Sequence, residues 1–410
     1  MSILPHSTMN LKLPKMYKVR QYFDSTHITD IKKAIEEQLE QPEIKSLVKP
    51  NQKIAIAVGS RGIYQIDKIV RIIGDRLKQL GADPFIVPAM GSHGGAAAEG
   101  QRKVLKSYGI DEKNMGMPIH SSMDVEIIGK TSEGVPVYLD KNALKADLII
   151  PVARIKPHTN FKGPIESGIC KMLAIGLGKH EGCSRYHQEG FEQFPKLIPE
   201  VAKVIIENAP IGFGIGIVEN AYEKTFHISA VNAKDILSKE PKLLIMAQQQ
   251  MAKIMVSDID VLIIEKIGKE ISGAGMDPNI IGRDQYGKLK GYDSPNIKRI
   301  IVKDLTEQTN GNASGIGIAD FITRKCFNKI DFESTYTNCI AGASPEGAFI
   351  PIIMESEELA IRAALQCCNQ IDFNNPKIVR ISDTLHLEEI EVSECLLPNL
   401  KINSQVEILS

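Results

Sequence analysis

The chain has 410 residues, of which 43% are hydrophobic and 24% charged, a balance typical of a globular protein with about two domains. Lys and Arg number 49 against 50 Asp and Glu, so the basic surplus of a nucleic-acid-binding protein is missing. No apolar run reaches the roughly 18 residues of a membrane span, and residues 1–15 lack the apolar core of a signal peptide. The seven cysteines show no Cys-x-x-Cys spacing, which indicates free thiols and predicts a cytoplasmic protein.

Strand–loop–helix units recur from the first third of the chain. Residues 52–58 (QKIAIAV) predict a buried strand that ends at Gly59-Ser60-Arg61-Gly62, and a helical pattern follows until Gly81. Residues 84–89 predict the next strand, and the loop 91–95 (GSHGG) follows it. This repetition predicts an α/β fold with a parallel sheet, in which ligands bind where loops leave the carboxyl ends of the strands.

The pattern continues through the middle of the chain. The strand predicted at 146–152 leads directly into Arg154-Ile155-Lys156-Pro157-His158. Other strands are predicted at 124–128, 212–218 and 226–231, and helices at 199–208 and 241–255.

Two α/β domains with an active-site cleft between them are expected. The first domain is predicted to span residues 1–256 and the second residues 257–394, while residues 395–410 can return to the first. For the second domain, strands are predicted at 260–265 and 299–303 and helices at 315–327 and 357–368, while the last predicted strands, 387–392 and 406–409, can return to either domain.

Four of the nine histidines are candidates for chemistry. His93 and His158 each follow a predicted strand, so their imidazoles are expected to approach one another at the edge of the sheet. His180 and His187 are seven residues apart, and a helix there would place them on one face. Imidazoles at such positions suit acid–base chemistry near neutral pH.

Two alternatives for these residues have less support. A zinc hydrolase site built from His93, His158 and His187 is conceivable, but the local His-Glu-x-x-His pair of many such sites is missing. The glycine-rich loop 91–95 matches neither of the two common nucleotide-binding patterns, although its backbone N–H groups suit an anion.

The segment 154–187 resembles the nickel-dependent lactate racemase family. It contains Pro157-His158, a glycine-bearing stretch, Lys171 and, sixteen residues later, His187. Earlier in the chain, Arg61 and His93 fall at matching positions. The resemblance covers nearly the whole chain, but its specific motifs lie between residues 58 and 190.

The resemblance implies a nickel-pincer nucleotide as cofactor. Lys171 would tether it through a thioamide, and His187 would be the protein's nickel ligand. The loop residues Ser60, Gly91 and Ser92 would lie against the cofactor.

The resemblance also implies a racemase or epimerase of a 2-hydroxy acid. His93 and His158 would exchange the hydroxyl proton, one for each face of the substrate, while hydride moves to the cofactor and back through a 2-keto acid. Arg61 would bind the substrate carboxylate, because a guanidinium matches it with two hydrogen bonds. Gln285 and Lys288, from a Gln-x-x-Lys pair, would contact the substrate from the second domain.

The chain departs from the lactate enzymes in ways that predict another substrate. It has no Trp, which those enzymes place beside the substrate, and Val58 lies where they have an Asp. A sugar acid or a hydroxy diacid is therefore favoured over lactate, with Arg283 as a further polar contact. Cofactor maturation proteins are the expected partners, a homo-oligomer stays open, and a cofactor-binding homologue without turnover is the alternative function.

Overall fold

The structure, a computed structural model, describes residues 4–60, 62–284 and 293–409. It divides into two compact units. We call Asp24–Met251 the central unit, and Met1–Phe23 together with Ala252–Ser410 the terminal unit. Each unit contains a sheet with helices against it, so the α/β fold is confirmed.

The strands are β1 (Met16–Gln21), β2 (Lys53–Val58), β3 (Asp83–Pro88), β4 (Val125–Lys130), β5 (Pro136–Asp140), β6 (Leu148–Arg154), β7 (Phe213–Glu219), β8 (Thr225–Asn232), β9 (Asp258–Ile267), β10 (Asn296–Leu305), β11 (Phe321–Thr323), β12 (Ile352–Met354), β13 (Ile378–Ile381), β14 (Glu389–Ser393) and β15 (Val406–Ile408).

The α-helices are α1 (His6–Met9), α2 (Ile31–Leu39), α3 (Pro42–Lys45), α4 (Ile66–Gln79), α5 (Ala98–Ser107), α6 (Glu112–Met115), α7 (Lys141–Leu144), α8 (Ile169–Lys171), α9 (Lys179–His187), α10 (Phe194–Asn208), α11 (Ile236–Gln250), α12 (Pro278–Ile281), α13 (Arg324–Asn328), α14 (Phe332–Ala341), α15 (Glu357–Gln366) and α16 (Leu397–Leu400). A π-helical turn, Met172–Gly176, lies between α8 and α9.

The central unit is built on a sheet in the order β3-β2-β6-β7-β8. Its first four strands are parallel, and β8 closes the edge antiparallel to β7. Alternate residues of β2 enter separate apolar cores, with Ala55 in one and Ile56 in the other. A strand buried on both sides needs a continuous apolar run, which is what residues 53–58 supply.

The terminal unit contains a sheet in the order β12-β11-β10-β9-β13-β14-β1-β15. Here the structure differs from the predicted domain limits. Strand β1 pairs with β14 and β15, so residues 1–23 and 395–410 belong with the second half of the chain. The change of unit falls at Ala252, a few residues before the predicted boundary at 256–258. The predicted cleft between the domains stays a prediction.

The helix predicted over 315–327 is wrong. The segment forms a 3-10 turn (Ile316–Ile318), then β11, then the short helix α13. Strand β11 pairs in parallel with β10 and β12, and all three of its residues are buried. Pairing on both edges therefore outweighs the local helical pattern.

Within the described ranges, every helix is too short or too polar to cross a bilayer.

Candidate functional site

The loops that follow β2, β3 and β6 carry Ser60, His93 and His158, while Lys171 and His187 lie on α8 and α9. These strands are parallel neighbours in the sheet, so their carboxyl ends share one edge. The Ala89 amide donates to the Val58 carbonyl at 2.8 Å, which joins the first two loops where they leave the sheet.

His93 is an exposed residue held by the loop after β2. Its Nδ1 forms a hydrogen bond with the Ser60 hydroxyl, and the Tyr108 hydroxyl donates to the Ser60 carbonyl at 2.6 Å. The buried Gln101 amide donates to the carbonyls of Gly91 at 2.9 Å and His93 at 3.3 Å. Side chains from α5 and its end therefore hold both loops in place.

The loop after β3 lies directly against the turn Met172–Gly176. Gly91 has φ +56°, and its amide donates to the Gly176 carbonyl at 3.1 Å. A Cβ on Gly91 would lie 3.2 Å from Ile175, so a larger residue would be both strained and crowded. The Ser92 hydroxyl lies 3.6 Å from Cys183 Sγ.

His158 is buried and contacts the amine of Lys171 directly. Its Nε2 lies 2.5 Å from Lys171 Nζ, and its Nδ1 accepts from the Asn160 amide at 3.0 Å. The buried carboxylate of Glu166 accepts from the His158 amide at 2.5 Å and from the Gly163 amide at 3.2 Å. The Glu166 carboxylate therefore fixes the backbone that presents the imidazole.

The imidazole of His158 is neutral at working pH. Burial places the pKa of His158 well below its usual value, and the charge of Lys156 acts in the same direction. A neutral imidazole is the form that can accept a proton from a substrate hydroxyl.

Lys171 is the last residue of α8, whose start is capped by a buried carboxylate from α11. Glu240 Oε2 accepts from the Cys170 amide at 2.9 Å. A Cβ on Gly168 would lie 2.1 Å from Glu240 Oε1. The Glu240 carboxylate can therefore approach α8 only because residue 168 has no side chain. Burial raises the pKa of Glu240 to about 7. The π-helical turn begins directly after Lys171, an irregularity that often marks a functional site.

His187 ends α9 and is paired with Cys183 one turn earlier. Its Nδ1 donates to the Cys183 carbonyl at 2.6 Å and lies 3.6 Å from the Cys183 thiol. Burial alone would lower the pKa of His187, but the hydrogen bonds and charge of Cys183 outweigh it and leave the pKa raised. The contacts with His187 and Ser92 likewise outweigh burial at Cys183 and leave its pKa lowered.

Three phenylalanines connect His158 to His187. The Phe161 ring lies 4.3 Å from the His158 ring, measured between centroids, and 5.4 Å from the Phe194 ring. The His187 ring lies 5.2 Å from both Phe191 and Phe194. The two imidazoles therefore share one aromatic cluster, which fixes their ring planes and excludes water from one side.

A fully buried ion pair lies behind the His93 loop. Lys179 Nζ is 3.1 Å from Asp140 Oδ2 and 3.1 Å from Gln101 Oε1, and it also donates to the Pro88 carbonyl. Burial lowers the pKa of Lys179 and raises the pKa of Asp140, because each charge loses its water. This pair connects α9 to the Gln101 amide that holds the His93 carbonyl.

The remaining predicted residues lie elsewhere or outside the described ranges. Arg61, Gln285 and Lys288 lie outside the described residues. Arg283 belongs to the terminal unit, where its guanidinium bonds to Asp320 at 2.8 Å and to two backbone carbonyls. These contacts give Arg283 a structural role, and its substrate contact stays a prediction.

Over residues 4–60, 62–284 and 293–409, no three His, Cys, Asp or Glu side chains are grouped so as to hold a metal ion by themselves. The alternative zinc site, which needs three protein ligands, therefore gains no support from the geometry. His180, on the same helix as His187, is exposed and lies 3.5 Å from the Ser184 hydroxyl.

The sequence reasoning missed the residues that support the site. Glu166 and Glu240 lie in polar stretches that read as solvated, yet both are buried. Cys183 offered the clearest signal, because it lies four residues before His187 and thus on the same face of α9.

Comparisons with known proteins point to one family and one fold. Residues 5–196 match the family model described as the lactate racemase N-terminal domain. The fold resembles that of the lactate racemase apoprotein from Thermoanaerobacterium thermosaccharolyticum, with a TM-score of 0.54 and 14% identity over 90% of this chain and 99% of that chain. At this identity the likeness shows the fold alone. No curated protein sequence matches the chain.

Proposed function

Because the chain is a relative of the lactate racemase family and carries its N-terminal domain over residues 5–196, we propose that it inverts C2 of a 2-hydroxy acid with a nickel-pincer nucleotide as cofactor. One observation carries the proposal. The predicted tether, Lys171, lies 2.5 Å from the predicted acid–base residue, His158, and an aromatic cluster links that imidazole to His187.

The residues present fit such a cofactor. The Nδ1 proton of His187 is held by the Cys183 carbonyl at 2.6 Å, so the Nε2 lone pair is the one left for a metal. Metal-binding histidines commonly show this arrangement, because the carbonyl fixes the tautomer and the ring. Lys171 is half-buried, so its amine is sheltered but reachable.

When bound, the cofactor would supply an electrophilic carbon as the hydride acceptor. The protein's part is to move the hydroxyl proton. His158 is neutral and can accept that proton, since burial depresses its pKa. His93, held by Ser60, would serve the opposite antipode, because the hydroxyls of the two antipodes lie on different sides.

The surroundings of His158 favour an anionic substrate larger than lactate. Lys156 and Lys162 add positive charge near the imidazole, with Lys162 Nζ 3.4 Å from the His158 carbonyl. Glu166 offsets part of that charge, lying 3.6 Å from Lys162. We propose a sugar acid or a hydroxy diacid as the substrate class.

A panel of chiral hydroxy acids carrying deuterium at C2 tests the function. The protein is produced together with the cofactor maturation proteins and incubated in ordinary water, and the products are resolved by chiral chromatography and mass spectrometry. We expect inversion with deuterium retained, because hydride leaves and returns without meeting solvent.

Two variants complete the test. Lys171→Ala should abolish inversion, whereas His180→Gln, on an exposed residue of the same region, should preserve it. Cofactor binding without inversion of any substrate would identify a carrier instead. Inversion with loss of deuterium would contradict the hydride route.

A further inference from the structure

The hydrogen bonds around His158 define where its single proton lies. Nδ1 accepts from the Asn160 amide at 3.0 Å, so Nδ1 carries a lone pair. A neutral imidazole with an accepting Nδ1 holds its proton on Nε2. Burial supports the neutral form by lowering the pKa of His158.

The Nε2 proton is directed at Lys171. The two nitrogens lie 2.5 Å apart, and a hydrogen bond from Nε2–H requires a lone pair on Lys171 Nζ. An ammonium group has no lone pair, so this contact selects the uncharged amine. The Phe161 ring, 4.3 Å from the imidazole between centroids, helps hold the ring plane.

Positive charges near the two residues also favour the uncharged amine of Lys171. Lys156 and Lys162 add positive charge around the imidazole. The Glu166 carboxylate accepts from the His158 amide and pairs with Lys162 at 3.6 Å.

We propose that His158 has a second role before any turnover: it holds Lys171 as the uncharged nucleophile that the cofactor requires for attachment. The inference rests on the proposed function, in which Lys171 is the tether. In the attachment step, Nζ bonds to the thiocarboxylic carbon of the cofactor, the C–O bond breaks, and water leaves with one proton from the amine. No oxidant or reductant is consumed.

The contact between His158 and Lys171 also determines which role of His158 comes first, attachment of the cofactor or proton transfer with the substrate. A thioamide nitrogen has no available lone pair, so after attachment it no longer accepts from Nε2–H. After attachment the ring proton must move to Nδ1, with loss of the Asn160 hydrogen bond, so that Nε2 can accept the substrate proton. The tether also places the cofactor beside the residue that moves the substrate proton.

Acetylation of the cofactor-free protein tests the inference without an activity assay. The protein is treated at pH 7 with a limiting amount of an acetyl N-hydroxysuccinimide ester, and peptide mass spectrometry gives the acetylated fraction of each lysine. An ordinary lysine is uncharged only about once in 10³ molecules at this pH, so an uncharged amine reacts much faster. We expect Lys171 to be acetylated at least about tenfold faster than Lys162, its internal control.

Variants at His158 make the test specific. His158→Phe keeps a ring in the aromatic cluster but removes both nitrogens, and should lower the Lys171-to-Lys162 ratio about tenfold or more. His158→Gln is the second variant, and thermal unfolding identifies which of them is folded. An unchanged ratio in a folded variant, or a wild-type Lys171 no faster than Lys162, would overturn the inference.

The proposed function and this inference can fail separately. In protein made with the maturation proteins, the rate at which intact mass gains the cofactor is compared between wild type and His158→Phe. Equal rates would overturn the role of His158 and leave the tether standing. A His158-dependent acetylation ratio with no adduct in the matured wild type would overturn the proposed function alone.

Discussion

The three histidines of the site differ because their surroundings differ. His93 is exposed and hydrogen-bonded to a serine, His158 is buried and neutral, and His187 donates to the Cys183 carbonyl. The sequence could place all three near strand ends or on one helix, because that depends on local patterns. It could not assign their protonation, which depends on burial and on the neighbours that folding brings to each ring.

Glu240 provides a pH-dependent test of this residue chemistry. Its pKa is about 7 in the folded protein, against about 4.3 in an unfolded chain. At low pH the carboxyl of Glu240 is protonated, and its burial costs little. As the pH rises through the folded pKa, the carboxyl ionises and the free energy of unfolding falls. Glu240→Gln should raise the free energy of unfolding by up to about 3 kcal/mol at pH 8, and by much less at pH 5.

Urea denaturation at the two pH values measures the effect. Glu207→Gln, on the exposed surface of α10, is the matched control and should change stability equally at both pH values. An equal response of Glu240→Gln at pH 5 and pH 8 would show that the carboxyl is not held in its protonated form.

The buried pair Lys179–Asp140 gives a second test at the residue scale. Both side chains have no exposed area, so removing one charge leaves the other without water or a partner. Lys179→Met should cost about 3–5 kcal/mol of unfolding free energy. Adding Asp140→Asn should recover much of the loss, because the amide can still accept from the Ala143 amide.

The control for this pair is an exposed one. Lys196 and Glu133 retain 56% and 59% of their side-chain exposure, so Lys196→Met should leave stability nearly unchanged. Similar losses for Lys179→Met and Lys196→Met in the same denaturation assay would contradict the electrostatic account.

At the scale of elements, the segment from α8 through the π-helical turn holds the site together. The strands β2 and β3, which precede it in the chain, could be predicted from the sequence. A strand that is buried on both sides requires a continuous run of apolar residues, and such a run is visible in the sequence. The π-helical turn could not be predicted, because it is stabilised by contacts with other elements and not by a local sequence pattern. Strand β11 was missed for the same reason: three residues carry too little pattern, and pairing decides.

Close packing of this segment against the loop after β3 makes Gly176 sensitive. A Cβ there would lie 2.7 Å from the Ala89 carbonyl, which belongs to the backbone and cannot rotate away. Gly176→Ala should therefore lower the free energy of unfolding by about 1–3 kcal/mol and displace the loop that carries His93.

Gly62→Ala is the matched control, because a Cβ on Gly62 meets nothing within 4 Å. It should leave the thermal midpoint within about a degree or two, whereas Gly176→Ala should lower it by several. Equal midpoints for the two variants would show that the segment has room to move.

At the scale of the whole molecule, the fold class followed from the sequence but the division of the chain did not. Alternating strands and helices predict an α/β protein wherever they occur. The pairing of β1 with β14 joins Tyr17 to Val392, and no local pattern indicates a partner so far along the chain. The predicted domain limits therefore place residues 1–23 in the neighbouring domain.

The central claim is that Lys171 and His187 hold one cofactor together, and the most direct measurement is its chemical inventory. Nickel content and adduct mass are determined on the same purified samples made with the maturation proteins, for wild type, Lys171→Arg and His187→Gln. Wild type should carry about one nickel per chain, with the adduct mapped to Lys171. Lys171→Arg should lose both, whereas His187→Gln should keep the adduct and lose nickel on dialysis. An adduct on another residue, or full nickel retention by His187→Gln, would contradict the account.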